Sequence, residues 1–163
     1  MNHFVGLTDF ANPLVVTMDV SGTLGTTTGK HVFIPAVFFE GGNPSLFAKT
    51  RRENPVDMSY PYMVTDDFQL TLPLDMTVES LPKGSDIPFA PNADYITKFA
   101  SSPHRYAYAR VLRVATFLYK TTDYPSLRSF FQKVSASDQS QTALQMVPVA
   151  VSASVPAPTA VGK

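Results

Sequence analysis

Two arginines, a glutamate, an aspartate and two tyrosines fall within the twelve residues "RRENPVDMSYPY" (51–62). These types could hold an anion, because a guanidinium presents a planar fork of donors that matches a carboxylate. On that reading Arg51, Arg52, Asp57, Tyr60 and Tyr62 are a contact surface for a neighbouring domain. The competing reading is structural. Prolines stiffen a corner, Arg51, Arg52 and Glu53 rim it with ion pairs, and Asp57 accepts backbone N–H groups as aspartate does in turns. The structural reading is favoured, interdomain contact is the functional role that remains, and catalysis is the least supported.

Other candidates carry less. Tyr60, Tyr62, Tyr106, Tyr108 and Tyr119 could line a glycan- or peptide-binding face. Tyr106 and Tyr108, however, share parity with Leu112 and Val114, which favours packing in a sheet. Asp66 and Asp67, with Asp9, Asp75, Asp86 and Asp94, offer hard oxygen ligands for calcium, but no acidic-loop pattern groups them and "TDD" reads as the start of a strand. His3, His31 and His104 are isolated and lack metal-ligand spacing. The serines of "VSGTLG" and "SDQSQ" lack a strand–elbow–helix setting for a nucleophile. "GTTTGK" is not a phosphate loop, since Lys30 is followed by His31 and no long helix comes next. No catalytic residue, cofactor-binding residue or metal ligand is assigned, and no cofactor is expected. The chain has no cysteine, which excludes thiolate catalysis, zinc–thiolate sites and disulfides.

The elements that must position these residues come from 163 residues, 44% hydrophobic, enough for one domain with its own core. Thirteen basic and thirteen acidic residues cancel, and the basic groups at Arg51–Arg52 and Arg110–Arg113 are short, so no nucleic-acid partner is expected. No apolar run approaches the ~18 residues of a spanning helix, and no signal peptide is visible in "MNHFVGLTDFANP". Membrane insertion is not expected.

Period two dominates. Leu14, Val16, Met18 and Val20 point one way and Thr17 and Asp19 the other, which predicts a half-buried strand. "SGTLGTTTGK" reads as turn, short strand, turn, and "HVFIPAVFF" (31–39) as a strand with an edge or bulge at Pro35. Phe68, Leu70 and Leu72 mark another strand, and Met76 and Val78 the next. Tyr95 and Phe99 share a side in "ADYITKFA". "RYAYARVLRVATFLYK" (105–120) predicts one long, bending central strand, apolar on both faces near its middle, with Arg110 on the parity of Tyr106, Tyr108, Leu112 and Val114. The period then changes. Leu127, Phe130, Phe131 and Val134 form one helical stripe, preceded by Tyr124, in a helix over about 124–137 with Asp123 at the N-cap and Pro125 in the first turn. These five residues, Tyr124, Leu127, Phe130, Phe131 and Val134, are expected to dock the helix onto the rest of the chain. Residues 135–141 should fray or turn, and 142–149 run extended again. The whole predicts an antiparallel β-sandwich of seven or eight short strands with a C-terminal amphipathic helix over residues 1–146, then a flexible Val/Ala/Pro/Ser-rich tail over 147–163.

"SGTLGTTTGKHVFIPAVFF" (21–39), "RRENPVDMSYPYMVTDDFQLTLP" (51–73), "VESLP" (78–82) and "DYPSLRSFFQKVSASDQSQTAL" (123–144) together resemble the C-terminal β-sandwich domain, of DUF3858 type, of bacterial multidomain proteins. Those proteins begin with a DUF3857 β domain followed by a transglutaminase-like core with a Cys-His-Asp triad. The resemblance implies an accessory domain, not an enzyme. Its partners would be the transglutaminase-like core and the N-terminal β domain of the same parent chain. It implies a bacterial origin and export to the periplasm or cell surface. With no cysteine present, the triad has no nucleophile here and no catalytic residue carries over.

Overall fold

The computed structural model describes residues 3–9, 11–40 and 46–148. Its strands are β1 (His3–Val5), β2 (Val15–Thr17), β3 (Thr26–Thr28), β4 (His31–Pro35), β5 (Val56–Asp57), β6 (Tyr62–Thr71), β7 (Met76–Ser80), β8 (Ser85–Phe89), β9 (Ala93–Ser102), β10 (Arg105–Val114), β11 (Leu118–Tyr119) and β12 (Gln141–Met146), with one helix, α1 (Tyr124–Asp138). The fold is mainly β, antiparallel and sandwich-like, with a single helix near the C-terminal end, as the alternation predicted. It holds more strands than expected, because β5 and β11 are two-residue pieces and β1 to β3 three-residue ones.

The frame is the sheet β6-β10-β9-β8, in which β10 is internal. Alternation in β6 and β10 follows from the sequence: every second residue faces inward, so Leu70, Phe68, Val64 and Tyr62 stand in register with Tyr106, Tyr108, Leu112 and Val114. The opposite face of β10 is only partly covered: Ala109 and Arg113 are exposed and Ala107 and Val111 half-buried, so the expectation of apolar cover on both faces does not hold. Nor is 105–120 one bent strand. β10 ends at Val114, and the chain resumes as β11 beside β5, where Tyr119 opposes Val56.

Two different covers lie on the inner face. One is the second sheet, β3-β4-β12-β7. It closes a core of Ile34, Val37, Leu72, Tyr106, Tyr108 and Leu144. The other is α1, whose stripe meets Phe47, Val56, Ala93, Tyr95, Leu112, Val114 and Tyr119. Tyr124, Leu127, Phe130, Phe131 and Val134 are all buried. At roughly 1.5–3 kcal/mol for each fully buried large apolar side chain, that stripe holds the helix in place. Asp123 is the N-cap residue but makes no side-chain capping bond, and Pro lies in the first turn. Residues 135–138 do not fray. The helix runs to Asp138 and β12 begins three residues later, because its last turn is bound to the sheet.

Two further expectations change. β2 covers only Val15–Thr17, pairs with β1, and has every residue exposed, since a two-stranded ribbon offers no layer to bury against. Pro35 is not at a bulge and is edge-like on one side only, since the β3 ladder stops at Phe33 while Gln141 pairs with Pro35 on the other side. β4 lies between β3 and β12, Pro35 is its last residue, and the sheet's register shift falls between Ala143 and Leu144. Residues 149–163, most of the predicted tail, lie outside the described residues.

Candidate functional site

The twelve-residue signature begins inside a loop whose ends are both buried in the helix-covered core, at Phe47 and Val56. Between them residues 48–55 are exposed without interruption. The helix holds the first part of this loop by its carbonyls. The Tyr124 hydroxyl donates to the Lys49 carbonyl at 2.6 Å, and Arg128 Nε donates to that of Phe47 at 3.0 Å. Arg52 lies over the Phe47 and Tyr124 rings, 5.9 and 5.6 Å from their centroids. Lys49, Arg51, Arg52, Glu53 and Asn54 line a concavity of about 590 Å³. Asp57 closes the corner, accepting from the Ser59 N–H at 2.7 Å, and Ser59 takes a left-handed φ of 67° to reach it. Arg51, Arg52, Asp57 and Tyr60 are exposed, whereas Tyr62 is half-buried and packs against the helix-covered core. The ion-pair rim is not there: among the described residues no carboxylate pairs with Arg51 or Arg52.

The structure also brings together a set that the sequence reading did not assemble. Arg110 stands on the inner face of β10, 2% exposed. Its Nε and Nη2 donate to the two carboxylate oxygens of Asp138, at 2.9 and 3.0 Å, in a bidentate fork. Nη1 donates to Asp66 on β6 at 3.0 Å. The Tyr95 hydroxyl donates to Asp138 at 2.5 Å, and the guanidinium lies 5.4 Å from the Tyr95 ring centroid. Strand register extends the row: Arg110 opposes both Asp66 and Thr97, and Thr97 opposes Ser85. The Thr97 hydroxyl accepts from the Ser85 N–H at 3.1 Å, and the Ser85 and Ser137 hydroxyls meet at 2.9 Å. A polar belt therefore crosses the sheet between the two apolar cores and is closed from above by the last turn of the helix.

Electrostatics explain why the belt survives burial. Desolvation alone would push the Arg110 guanidinium down, but the hydrogen bonds and charge of Asp138 outweigh it, with Asp66 adding, so the net shift is upward. Burial, then the bond to Asp138, pushes the Tyr95 hydroxyl well above its ordinary range. A permanently charged arginine held by two carboxylates, and a tyrosine held in its neutral form, make a load-carrying joint. Neither is poised to exchange a proton near neutrality.

Other predicted candidates are dispersed. Tyr106 and Tyr108 are 0% and 3% exposed in the sheet-covered core and Tyr119 is buried in the helix-covered one, so the five tyrosines form no exposed aromatic platform. The Tyr106 hydroxyl instead donates to the Ala36 carbonyl at 2.7 Å. Asp66 and Asp67 lie mid-strand in β6, not at a strand start, and by alternation face opposite sides. His31 contacts Glu79 at 2.8 Å, and His104, at φ 58°, turns the β9–β10 hairpin with Nδ1 near the Pro73 and Met76 carbonyls. Among the described residues no three His, Cys, Asp or Glu side chains form a metal-holding group.

Residues 30–144 match the model of a domain family described as a domain of unknown function with a solved structure, DUF3858. No curated protein matches the chain. Among solved structures, the chain is similar to a crystal structure described as a "putative protease" from Parabacteroides distasonis, with a TM-score of 0.54 at 10% identity. The similarity covers 71% of this chain and 23% of that one, so the shared fold spans under a quarter of the longer protein.

Proposed function

This chain belongs to the DUF3858 family, and from that premise we propose that it is a non-catalytic accessory domain of a transglutaminase-like protein, packing against or orienting the catalytic core. The observation that carries the reading is the proportion of the structural match: most of this chain corresponds to a minor part of a much longer polypeptide described as a protease. A module of that share supplies surface and spacing more readily than a second reaction centre. The chemistry of the interior agrees with it. The one buried polar assembly among the described residues has its arginine bonded to two carboxylates and its tyrosine bonded to one of them. No thiol is available for the nucleophilic step of a transglutaminase-like triad.

The test is a calorimetric titration of the purified chain with a recombinant transglutaminase-like core joined to its N-terminal β domain. The reading expects a saturable one-to-one complex. No heat of binding over a wide concentration range would remove it, as would hydrolysis or acyl transfer by this chain alone.

A further inference from the structure

We propose that the loop 48–55 is a docking site for an acidic peptide segment, held by Lys49, Arg51 and Arg52. Three observations converge on it. The first is charge. Three cations and one carboxylate, Glu53, lie within five residues of a chain whose net charge is zero. Among the described residues no carboxylate comes within ion-pair distance of the three cations. Cations that neutralise nothing within their own fold favour an external anion.

The second is shape. The side chains do not splay from a convex tip. They line a shared concavity of about 590 Å³ together with Glu53 and Asn54. The third is rigidity. An exposed eight-residue loop is ordinarily the mobile part of a fold. Here it is closed between two buried anchors, Phe47 and Val56; Arg128 holds the carbonyl of the first anchor, Phe47, and Tyr124 that of Lys49 within the loop. The Arg52 guanidinium carbon lies 5.9 and 5.6 Å from the Phe47 and Tyr124 ring centroids, a cation–π contact that leaves its charge without a carboxylate partner among the described residues. Holding Arg52 against the rings, and the backbone at Lys49, before binding lowers the entropic cost of the complex.

The occupant is a carboxylate-rich peptide and not a nucleic acid, because three cations replace few phosphate counterions and no basic stripe continues from them. Exposed Tyr60 follows the loop on the same corner, and Arg and Tyr are the residue types enriched where proteins meet. The site does not depend on which fold carries the acidic segment, so it stands apart from the identity of the core proposed above.

The experiment is fluorescence anisotropy of a fluorescein-labelled oligoglutamate titrated with the full chain at low and at physiological salt. Saturable binding that weakens as salt rises is the expected result. The Lys49→Ser/Arg51→Ser double variant should weaken it about tenfold or more at unchanged melting temperature, since neither side chain holds the fold together. Lys98→Ser, on β9 outside the corner, should leave it unchanged. Absence of binding at low salt would overturn the proposal, as would equal affinity in the double variant. Displacement by an equimolar amount of inorganic pyrophosphate would overturn the peptide assignment and leave a plain anion site. No transglutaminase-like core is present in the assay, so its failure and a failure of the accessory-domain reading are separate results.

Discussion

The two halves of the interior sit under the same sheet yet are built on different rules. Beneath the second sheet, Phe68 stacks on Phe38 and on Tyr108, with ring centroids 4.3 and 5.2 Å apart, and Tyr106 and Leu144 fill the layer between strands. Beneath the helix, Phe47 meets Phe131 and Tyr124 edge-on, Phe130 stacks on Phe89, and the cover is one stripe on one element. The sheet-covered half is tied down by backbone ladders from several strands. Besides the stripe, the helix has carbonyl contacts at its N-terminal end, and the Arg110 belt through Asp138 and Ser137 at its C-terminal end. A helix laid on a sheet can rotate or slide, whereas a paired strand has a fixed register. The belt gives the helix the positional definition that hydrogen-bonded strands have without it.

Phe130→Asp places an unpaired charge on the helix stripe and should unfold the helix-covered half, with a loss of about 4 kcal/mol or more in urea denaturation. A midpoint equal to the parent's would mean the stripe does not dock. Arg110→Ala strands Asp66 and Asp138 at the belt, and about 3–5 kcal/mol should be lost. A loss below about 1 kcal/mol would make the belt a bystander. Leu144→Ala opens a cavity in the sheet-covered half alone and should cost about 2–5 kcal/mol, read from the same denaturation curves. At high pH the buried tyrosines of both halves act together, Tyr95, Tyr62 and Tyr119 under the helix and Tyr106 and Tyr108 under the second sheet, all raised by burial. Burial pushes the Tyr106 hydroxyl from 10.0 up to about 12. A folded value above the unfolded one means its stabilisation is complete below pH ~10 and is lost as pH rises from there through ~12. The urea midpoint should fall over that interval together with the appearance of tyrosinate absorbance, and a flat midpoint would contradict the placement. The smallest effect belongs to Arg113→Gln, which removes an exposed pair with Asp94 on the far face and should change stability by less than ~1 kcal/mol.

What could be read from the sequence follows the same division. Period-two spacing through Phe68, Leu70 and Leu72, and the stripe from Leu127 to Val134, are local patterns, and both were legible because each residue's face depends only on its neighbours in the chain. The belt was half visible. Arg110 shares parity with Tyr106, Tyr108, Leu112 and Val114, so a charged side chain was due to be buried, and Asp66 shares parity with Phe68 and Val64 on β6. Asp138, 28 residues from Arg110, was not legible, since its place is fixed by where the helix lies on the sheet. The Leu14–Val20 alternation misled for the opposite reason. The pattern is real, but burial needs a second layer, and the β1–β2 ribbon has none. Within the signature, prolines and the Asp57 turn were readable, whereas the loop's tie to Tyr124 and Arg128 was not, because those partners lie 75 and 81 residues away.

The Arg110 belt is a structural joint that makes the two covers one unit. Native-state hydrogen exchange as a function of denaturant measures it residue by residue. In the unaltered chain, amides of α1 and of the β4–β12 ladder should open with one shared free energy, and in Arg110→Met the helix amides should open first. Separate openings in the unaltered chain, or a single shared opening that persists in Arg110→Met, would contradict it.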